Sequence, residues 1–479
     1  MRKFLFSIDQ GTTSSRVLII NEQGQIQQIF QKDFNQLYDG AKVLQDASVV
    51  YDTVRWCLDE AFKYAINDEV LAIGITNQRE TTVLFDQTGI PLDYAISWQS
   101  KHTEEICESW RQLGFEPYIK KSTGLVINPY FSASKIRYLL DKHKNKDLTN
   151  CYFGTMDTYI LYRLTNGKSL KTDVSNASRT MLYNIHQMRY DQKILDLTGI
   201  PKHMLPEVCP SNSLFGYYNG VPITGILGDQ QSALFGHLAL NPGEMKVTYG
   251  TGCFILMNTG NKVHMSKKGL ISTVAWQIDD EVTYALEGSI FVAGSSVKWL
   301  RDQLQVIKTA EESEKLAMDA THDLYFVPAF VGLGAPYWDT DVRGTMFGIT
   351  ADIDKKDIVR ATLNAVGYQV KDVVDVMISD TEIPLETVGI DGGLSNNNYL
   401  MQFQSDLLRC PLKRIATPEV TGLGVAYLAG LKTGFFPSLD IIAKQAVIKQ
   451  LFTPKMSLKN AKRLYQGWQK AVSISQLYK

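Results

Sequence analysis

The chain contains no run approaching the ~20 consecutive apolar residues that a membrane-spanning helix needs, so no membrane insertion is expected. It also lacks net charge: 49 Lys and Arg face 50 Asp and Glu, a formal −1. That removes the electrostatic argument for nucleic acid or an anionic surface and points to a small-molecule partner. Its six cysteines (Cys57, Cys107, Cys151, Cys209, Cys253 and Cys410) show neither a C-x-x-C pair nor a His-bearing metal spacing. Neither a disulfide framework nor a zinc site is expected, and a reducing cytoplasm is the compartment such usage fits. No low-complexity tract or linker interrupts the chain. The apolar start breaks at Asp9, too early for a signal sequence, and reads as a first strand.

What is present is ample apolar mass. At 479 residues, 44% hydrophobic and 21% charged, the chain is too long for one core and predicts two large soluble domains.

Two short segments read alike. Leu5 to Ile20 and Met245 to Met257 are each a β-rich run, a Gly-Thr turn and a second apolar run, the pattern of a hairpin whose turn can cradle a phosphate. The first also carries Asp9 at the end of its leading strand, where a carboxylate can hold Mg²⁺ against phosphate oxygens. The second carries no acid, so the halves are not equivalent. A Gly-Thr turn alone is equally an ordinary hairpin; the repetition is what points to a nucleotide clamped between related halves.

Between and beyond these turns, strand-like runs (Leu71 to Ile75, Thr82 to Phe85) alternate with helical ones (Ser132 to His143), which predicts an α/β fold. Ala239 to Gly243 breaks the pattern and marks the boundary, giving domains 1–241 and 242–479. Ile358 to Met377 has a 3.6-residue apolar rhythm and predicts an amphipathic helix packed on a sheet. It precedes a buried strand, Thr387 to Ile390, and then Asp391-Gly392-Gly393, where a backbone can approach a flat ligand closely before a helix opens. Asn460 to Lys479 reads as a further amphipathic helix with a basic, solvated face.

Phosphoryl transfer needs a phosphate cradle, a metal holder, an acceptor pocket and a base. The cradle candidates are Gly11, Thr12, Thr13 and Arg16 on one side and Gly250, Thr251 and Gly252 on the other. Asp229, after a strand-like run and opening a helix, is the candidate base; a helix N-cap is the alternative. Arg79 and Glu80, in Asn77-Gln78-Arg79-Glu80-Thr81-Thr82, suggest a polyol pocket, and a solvated ion pair is the alternative. Trp98, Tyr130 and Phe254 supply apolar faces, or core.

These segments, in this order, resemble the FGGY carbohydrate kinases, and within them the members that act on glycerol. The resemblance spans nearly the whole chain and is most specific at Asn77 to Thr82 and at Tyr249 to Phe254. It implies a two-domain actin/hexokinase/Hsp70-like (ribonuclease H-like) fold that closes over its substrates. It further implies ATP and Mg²⁺ as cosubstrate and metal, glycerol as acceptor, and a homodimer or homotetramer. Carried over by residue, Arg79, Glu80, Tyr130, Asp229 and Gln230 would bond glycerol, with Trp98 and Phe254 against its carbons. Asp229 would be the base and Asp9 would help hold the metal. Thr12, Thr13, Ser14, Arg16, Gly250 and Thr251 would meet the phosphates; Gly294, Lys298, Gly393 and Asn397 would surround the adenosine.

The chain departs from the family pattern in places. Lys298 stands where Gln is frequent, Lys101 and His102 where an Arg pair is frequent, and Tyr138 and Asn364 where a Trp and an acid are usual. Ser213 to Pro222 is shorter than the corresponding loop of similar enzymes and lacks their inhibitory Gly-Arg site and their phosphorylated His. Control by sugar bisphosphate or histidine phosphorylation is therefore not expected at this loop. The rival readings are a kinase of another polyol or a ketopentose, and an inactive nucleotide-binding sensor or scaffold. Retention of Asp9 and Asp229 argues against the second.

Overall fold

The structure is a computed structural model that describes residues 1–478. Two large mixed sheets organise it. The first has six strands in the order Gly216–Tyr218, Val221–Gly228, Glu69–Asn77, Lys3–Gln10, Ser14–Asn21 and Ile26–Asp33. The second has seven, in the order Ile271–Ile278, Glu281–Ile290, Cys253–Gly260, Glu244–Tyr249, Thr387–Asp391, Leu412–Ile415 and Ile448–Phe452. Both repeated segments are antiparallel hairpins at corresponding places, each with a parallel strand beside its leading strand. The leading strands are buried runs (Phe4, Leu5, Phe6, Ile8; Met245, Val247, Tyr249), as sheets covered on both faces require.

The acid absent from the second hairpin is supplied by its neighbour. In the first sheet Asp9 faces Thr76 across the parallel pair, and in the second Thr248 faces Asp391. The carboxylate has changed strands between the halves while staying at the same edge.

The halves also interlock. Helix Asp229–Gly236 ends on His237, whose ring lies against Gly389 of the second sheet. Helix Val420–Thr433, late in the chain, packs on the first sheet: Ser7 Oγ donates to the Gly422 carbonyl at 2.6 Å, and a Cβ on Gly74 would come within 2.8 Å of the Val425 carbonyl. The two helices cross so closely that a Cβ on Gly424 would collide with the Ser232 carbonyl. One apolar cluster, including Leu5, Leu227, Leu234, Leu256, Trp276 and Leu428, draws on both halves.

A smaller five-stranded sheet, Leu37–Asp39, Lys42–Gln45, Ala95–Ile96, Thr82–Asp86 and Cys151–Thr155, stands beside the first. Thr82 to Phe85, expected as a strand, belongs here. The amphipathic helix forms as Lys355–Thr381 and is covered on both sides. Val370 and Val373 face the second sheet, while Tyr368 stacks on Trp468 of the terminal helix Leu458–Leu477 at 5.3 Å. The expected helix after Asp391-Gly392-Gly393 begins only after a 3₁₀ turn, Gly393–Asn396, as Asn398–Leu408. No helix among the described residues is long and apolar enough to cross a membrane.

Candidate active site

Arg79 and Glu80 occupy the short link between Glu69–Asn77 of the first sheet and Thr82–Asp86 of the small one. Both are buried, at 2% and 1% exposure, which removes the solvated-pair reading. Their mutual contact is long, 3.9 Å. Their principal partners come from elsewhere: the Arg79 guanidinium forks onto Glu287 at 2.7 and 2.9 Å, and Arg179 Nε meets Glu80 at 2.6 Å. Arg179 also reaches Glu287 at 3.1 Å, closing a ring of two cations and two anions. Burial pushes Glu287 up, but Arg179 and Arg79 overcome it and hold the carboxyl at about 2. Burial dominates at Glu80, whose pKa is raised despite the same two arginines.

Glu80 has a left-handed backbone, φ 63°, unfavourable for a side chain by about 1–2 kcal/mol. Its carbonyl is clamped by Thr82 Oγ1 and Ser132 Oγ, both at 3.1 Å, and by Lys135 Nζ at 3.5 Å. The same buried amine donates to the Tyr130 carbonyl at 2.5 Å. One lysine thus ties together the backbones of Glu80 and Tyr130.

Asp229 is the first residue of its helix, with Gly228 at the cap position, so its carboxylate is not engaged as an N-cap. Its Oδ1 lies 3.3 Å from Arg79 Nε and accepts from the Gln230 amide at 2.7 Å. Gly228 is required here, since a Cβ would come within 2.8 Å of the Arg79 side chain. Trp98 meets Tyr130 and Phe254 edge-on, with ring centroids 5.7 and 6.5 Å apart. All seven acceptor-pocket candidates, Gln230 included, therefore stand at one place between the sheets.

The phosphate-side candidates lie on the two hairpin turns. Gly11 N donates to Ser14 O and Gly250 N to Gly252 O, each at 2.9 Å. Thr12 Oγ1 accepts from Trp98 Nε1 at 3.1 Å, and Thr13 is exposed. Arg16 is held by Glu419 at 2.8 Å and Gln31 at 2.9 Å. Burial, with Glu419 and Asp229 adding to it and Arg16 opposing, raises Asp9 to about 7. Gly294 opens its helix against the second turn, donating to the Gly250 carbonyl at 2.9 Å, and a Cβ there would sit 2.6 Å from that oxygen. Gly393 has nothing within 4 Å of where a Cβ would be, so it presents an open backbone face. Lys298 is exposed. The Asn397 carboxamide caps helix Asn398–Leu408 through Leu400 N and donates to Ser313 Oγ at 3.1 Å.

Sequence reasoning missed Arg179, Glu287, Lys135 and Lys246. A lone acid inside the apolar run Tyr284-Ala285-Leu286-Glu287 was the available signal, because a buried charge demands a partner. Two of the departures prove to be joined: the His102 ring sits edge-on to Tyr138 at 4.5 Å.

Comparison with known proteins agrees over the full length. Residues 4–236 match the N-terminal domain of the FGGY family of carbohydrate kinases, and residues 245–433 the C-terminal domain. The glycerol kinase of a Geobacillus species (strain WCH70) is 47% identical across 100% of both chains, and that of Thermus thermophilus 46% across 100% of both. The crystal structure of Plasmodium falciparum glycerol kinase with ADP superposes with a TM-score of 0.95 at 35% identity, over 99% of this chain and 98% of that one. A xylulose kinase from Lactobacillus acidophilus shares the fold, with a TM-score of 0.88 at 20% identity over 98% of each chain. With both halves matched and the paired hairpins in place, the chain belongs to the FGGY family of carbohydrate kinases.

Proposed function

We propose that this protein transfers the γ-phosphate of ATP to a terminal hydroxyl of glycerol, giving sn-glycerol 3-phosphate. The observation that carries the reading is the approach of Arg79 Nε to Asp229 Oδ1 at 3.3 Å, beneath a wall of Trp98, Tyr130 and Phe254. Such a pocket offers charged and carboxylate groups to hydroxyls on one side and aromatic edges to a short carbon chain on the other. Full-length similarity to glycerol kinases supports the same assignment.

Chemically, Arg79 donates to acceptor oxygens and Glu80 accepts from hydroxyl hydrogens, each held by the ring with Arg179 and Glu287. Asp229 accepts the proton of the attacking hydroxyl as its oxygen bonds to the γ-phosphorus and the bond from that phosphorus to the β–γ bridging oxygen breaks, releasing ADP. The turns at Gly11 and Gly250 supply backbone N–H groups to the phosphates; Gly294 lets its helix close on the second turn, and Gly393 leaves an open face for the nucleoside. Among the described residues no cluster of three acids stands ready for a metal, and the residue that fits one is Asp9: burial, with Glu419 and Asp229 adding to it, resists its ionisation, and a bound cation would relieve that. Asp9 would hold Mg²⁺, which neutralises charge on the phosphates. Most of the acceleration then comes from positioning and charge stabilisation. The two domains, 1–241 and 242–479, carry the glycerol and adenosine sites respectively, with the phosphates between their two turns. The reading includes a cytoplasmic enzyme, consistent with six free, buried cysteines, that assembles as a homodimer or homotetramer.

The test is ADP release from Mg²⁺-ATP with glycerol, dihydroxyacetone, D-xylulose and L-ribulose. Fast turnover with glycerol and its nearest analogues is expected. Preference for a ketopentose would reject the acceptor, and nucleotide binding without turnover would reject the enzyme.

A further inference from the structure

Lys246 lies on strand Glu244–Tyr249 with no solvent exposure. Its amine donates to Gln230 Oε1 and, at 2.9 Å, to Thr248 Oγ1; it forms no ion pair among the described residues. Asp391 and Asp229 favour its charge from a distance, while burial holds its pKa down to about 8. A buried amine served only by neutral oxygens is costly, and packing alone would be better met by an apolar side chain.

The chemistry of the pair is asymmetric. An ammonium has donors and no acceptor, whereas a carboxamide has one accepting oxygen and two N–H donors. Lys246 can therefore meet Gln230 only through Oε1, which determines which end of the amide is left for a ligand. Gln230 Nε2 makes no hydrogen bond within the protein among the described residues.

Resting on the functional reading above, with Gln230 as the glycerol contact that the family resemblance implies, we propose that Lys246 is a positioning residue for the acceptor. It binds Gln230 Oε1 so that the free Nε2 presents only donors to a substrate hydroxyl. A hydroxyl that accepts from Gln230 keeps its own proton to give, and the adjoining acceptor in the chain is the Asp229 carboxylate. Lys246 thus sets the direction of hydrogen bonding toward the base without touching substrate. It also belongs to the other half of the chain: Thr248 faces Asp391 in the second sheet, and Asp391 takes His237 Nε2 at 2.6 Å. The orientation of Gln230 accordingly depends on the docking of the two halves.

The test is a mutant cycle of Lys246→Met, Gln230→Ala and the double variant, with glycerol and Mg²⁺-ATP varied separately. Lys246→Met is expected to raise the glycerol KM about ten- to hundredfold, the scale of a lost charge-assisted hydrogen bond, with little change in the ATP KM. In the Gln230→Ala background the same substitution should change the glycerol KM by less than about twofold, because the route through Gln230 is already gone. Lys246→Arg, which keeps the donors, should recover part of the loss. Should Lys246→Met not fold, Gln230→Glu serves instead: it keeps oxygen acceptors for Lys246, removes the Nε2 donor, and should lose glycerol affinity with the lysine still paired. An unchanged glycerol KM in Lys246→Met, an undiminished effect in the Gln230→Ala background, or full affinity in Gln230→Glu would overturn the proposal. A wild-type enzyme that turns over a ketopentose and not glycerol is a different result, and rejects the functional reading itself.

Discussion

Trp98 Nε1 donates to Thr12 Oγ1 across 3.1 Å, joining the aromatic wall of the acceptor pocket to the first phosphate turn. The two residues come from different sheets, Thr12 from the hairpin of the six-stranded sheet and Trp98 from beyond the Ala95–Ile96 strand of the small one. In the proposed reaction this bond would let the wall orient both substrates. Trp98→Phe, which keeps the apolar face and removes the donor, should raise the ATP KM by about two- to tenfold, the scale of one neutral hydrogen bond. Glycerol KM should rise as well; initial rates with each substrate varied separately check both effects.

Asp229→Asn keeps a side chain of the same shape 3.3 Å from Arg79 and removes the proton acceptor. Turnover should fall by about 10²–10⁴-fold, the usual contribution of a general base. ADP affinity, measured by calorimetry, should persist. A full-rate variant would reject Asp229 as the base.

The ring of Arg79, Glu287, Arg179 and Glu80 is balanced only when all four are present. Arg179→Met leaves two buried carboxylates sharing one arginine and should destabilise the fold by about 3–5 kcal/mol, the cost of breaking a buried pair. It should also weaken glycerol binding, because Glu80 loses its 2.6 Å partner. Thermal denaturation and glycerol titration of the same sample check the two effects together.

Asp372 accepts from Tyr465 at 2.6 Å and Trp468 Nε1 at 2.8 Å, fastening the terminal helix to Lys355–Thr381. Burial raises its pKa from 3.8 to about 7, so the folded state binds its proton more tightly than the unfolded chain does. Its contribution is therefore full at low pH and declines as pH rises from near 4 to near 7. Asp372→Asn should flatten that part of the Tm-against-pH curve; an identical slope in the variant would refute the assignment.

Gly216–Tyr218 and Val221–Gly228 close as a hairpin over Asn219 (φ 50°) and Gly220 (φ 80°), the left-handed pair of a tight type I′ turn. The segment has no Arg or His with which to bind a sugar bisphosphate or accept a phosphoryl group. Fructose 1,6-bisphosphate at millimolar concentration should leave the rate unchanged, and marked inhibition through this turn would contradict that expectation.

Local features were legible from residue order alone. The two hairpins, the strand before Arg79, the helix opened by Asp229 and the long apolar helix all follow from periodicity, turn residues and capping, which act over a few positions. Arg79 and Glu80 were found because they are adjacent in a recognisable stretch. Their partners were not, because Arg179 and Glu287 lie far along the chain, and nothing in a charge's local sequence states which opposite charge it will meet. Lys135 and Lys246 were hidden for the same reason: a lysine in a sequence reads as solvated until burial is known.

The sequence by itself therefore determined the elements, their α/β alternation and the chemical types available to the site, all of which depend on interactions between near neighbours. Only the tertiary structure decided that Asp391 supplies the acid missing from the second hairpin, and that two helices interlock the halves. It alone decided that Arg79 binds Glu287 more closely than Glu80 and that Lys246 orients Gln230. Those outcomes depend on which distant groups are desolvated together, where an unpaired charge or amide is too costly to leave unmatched.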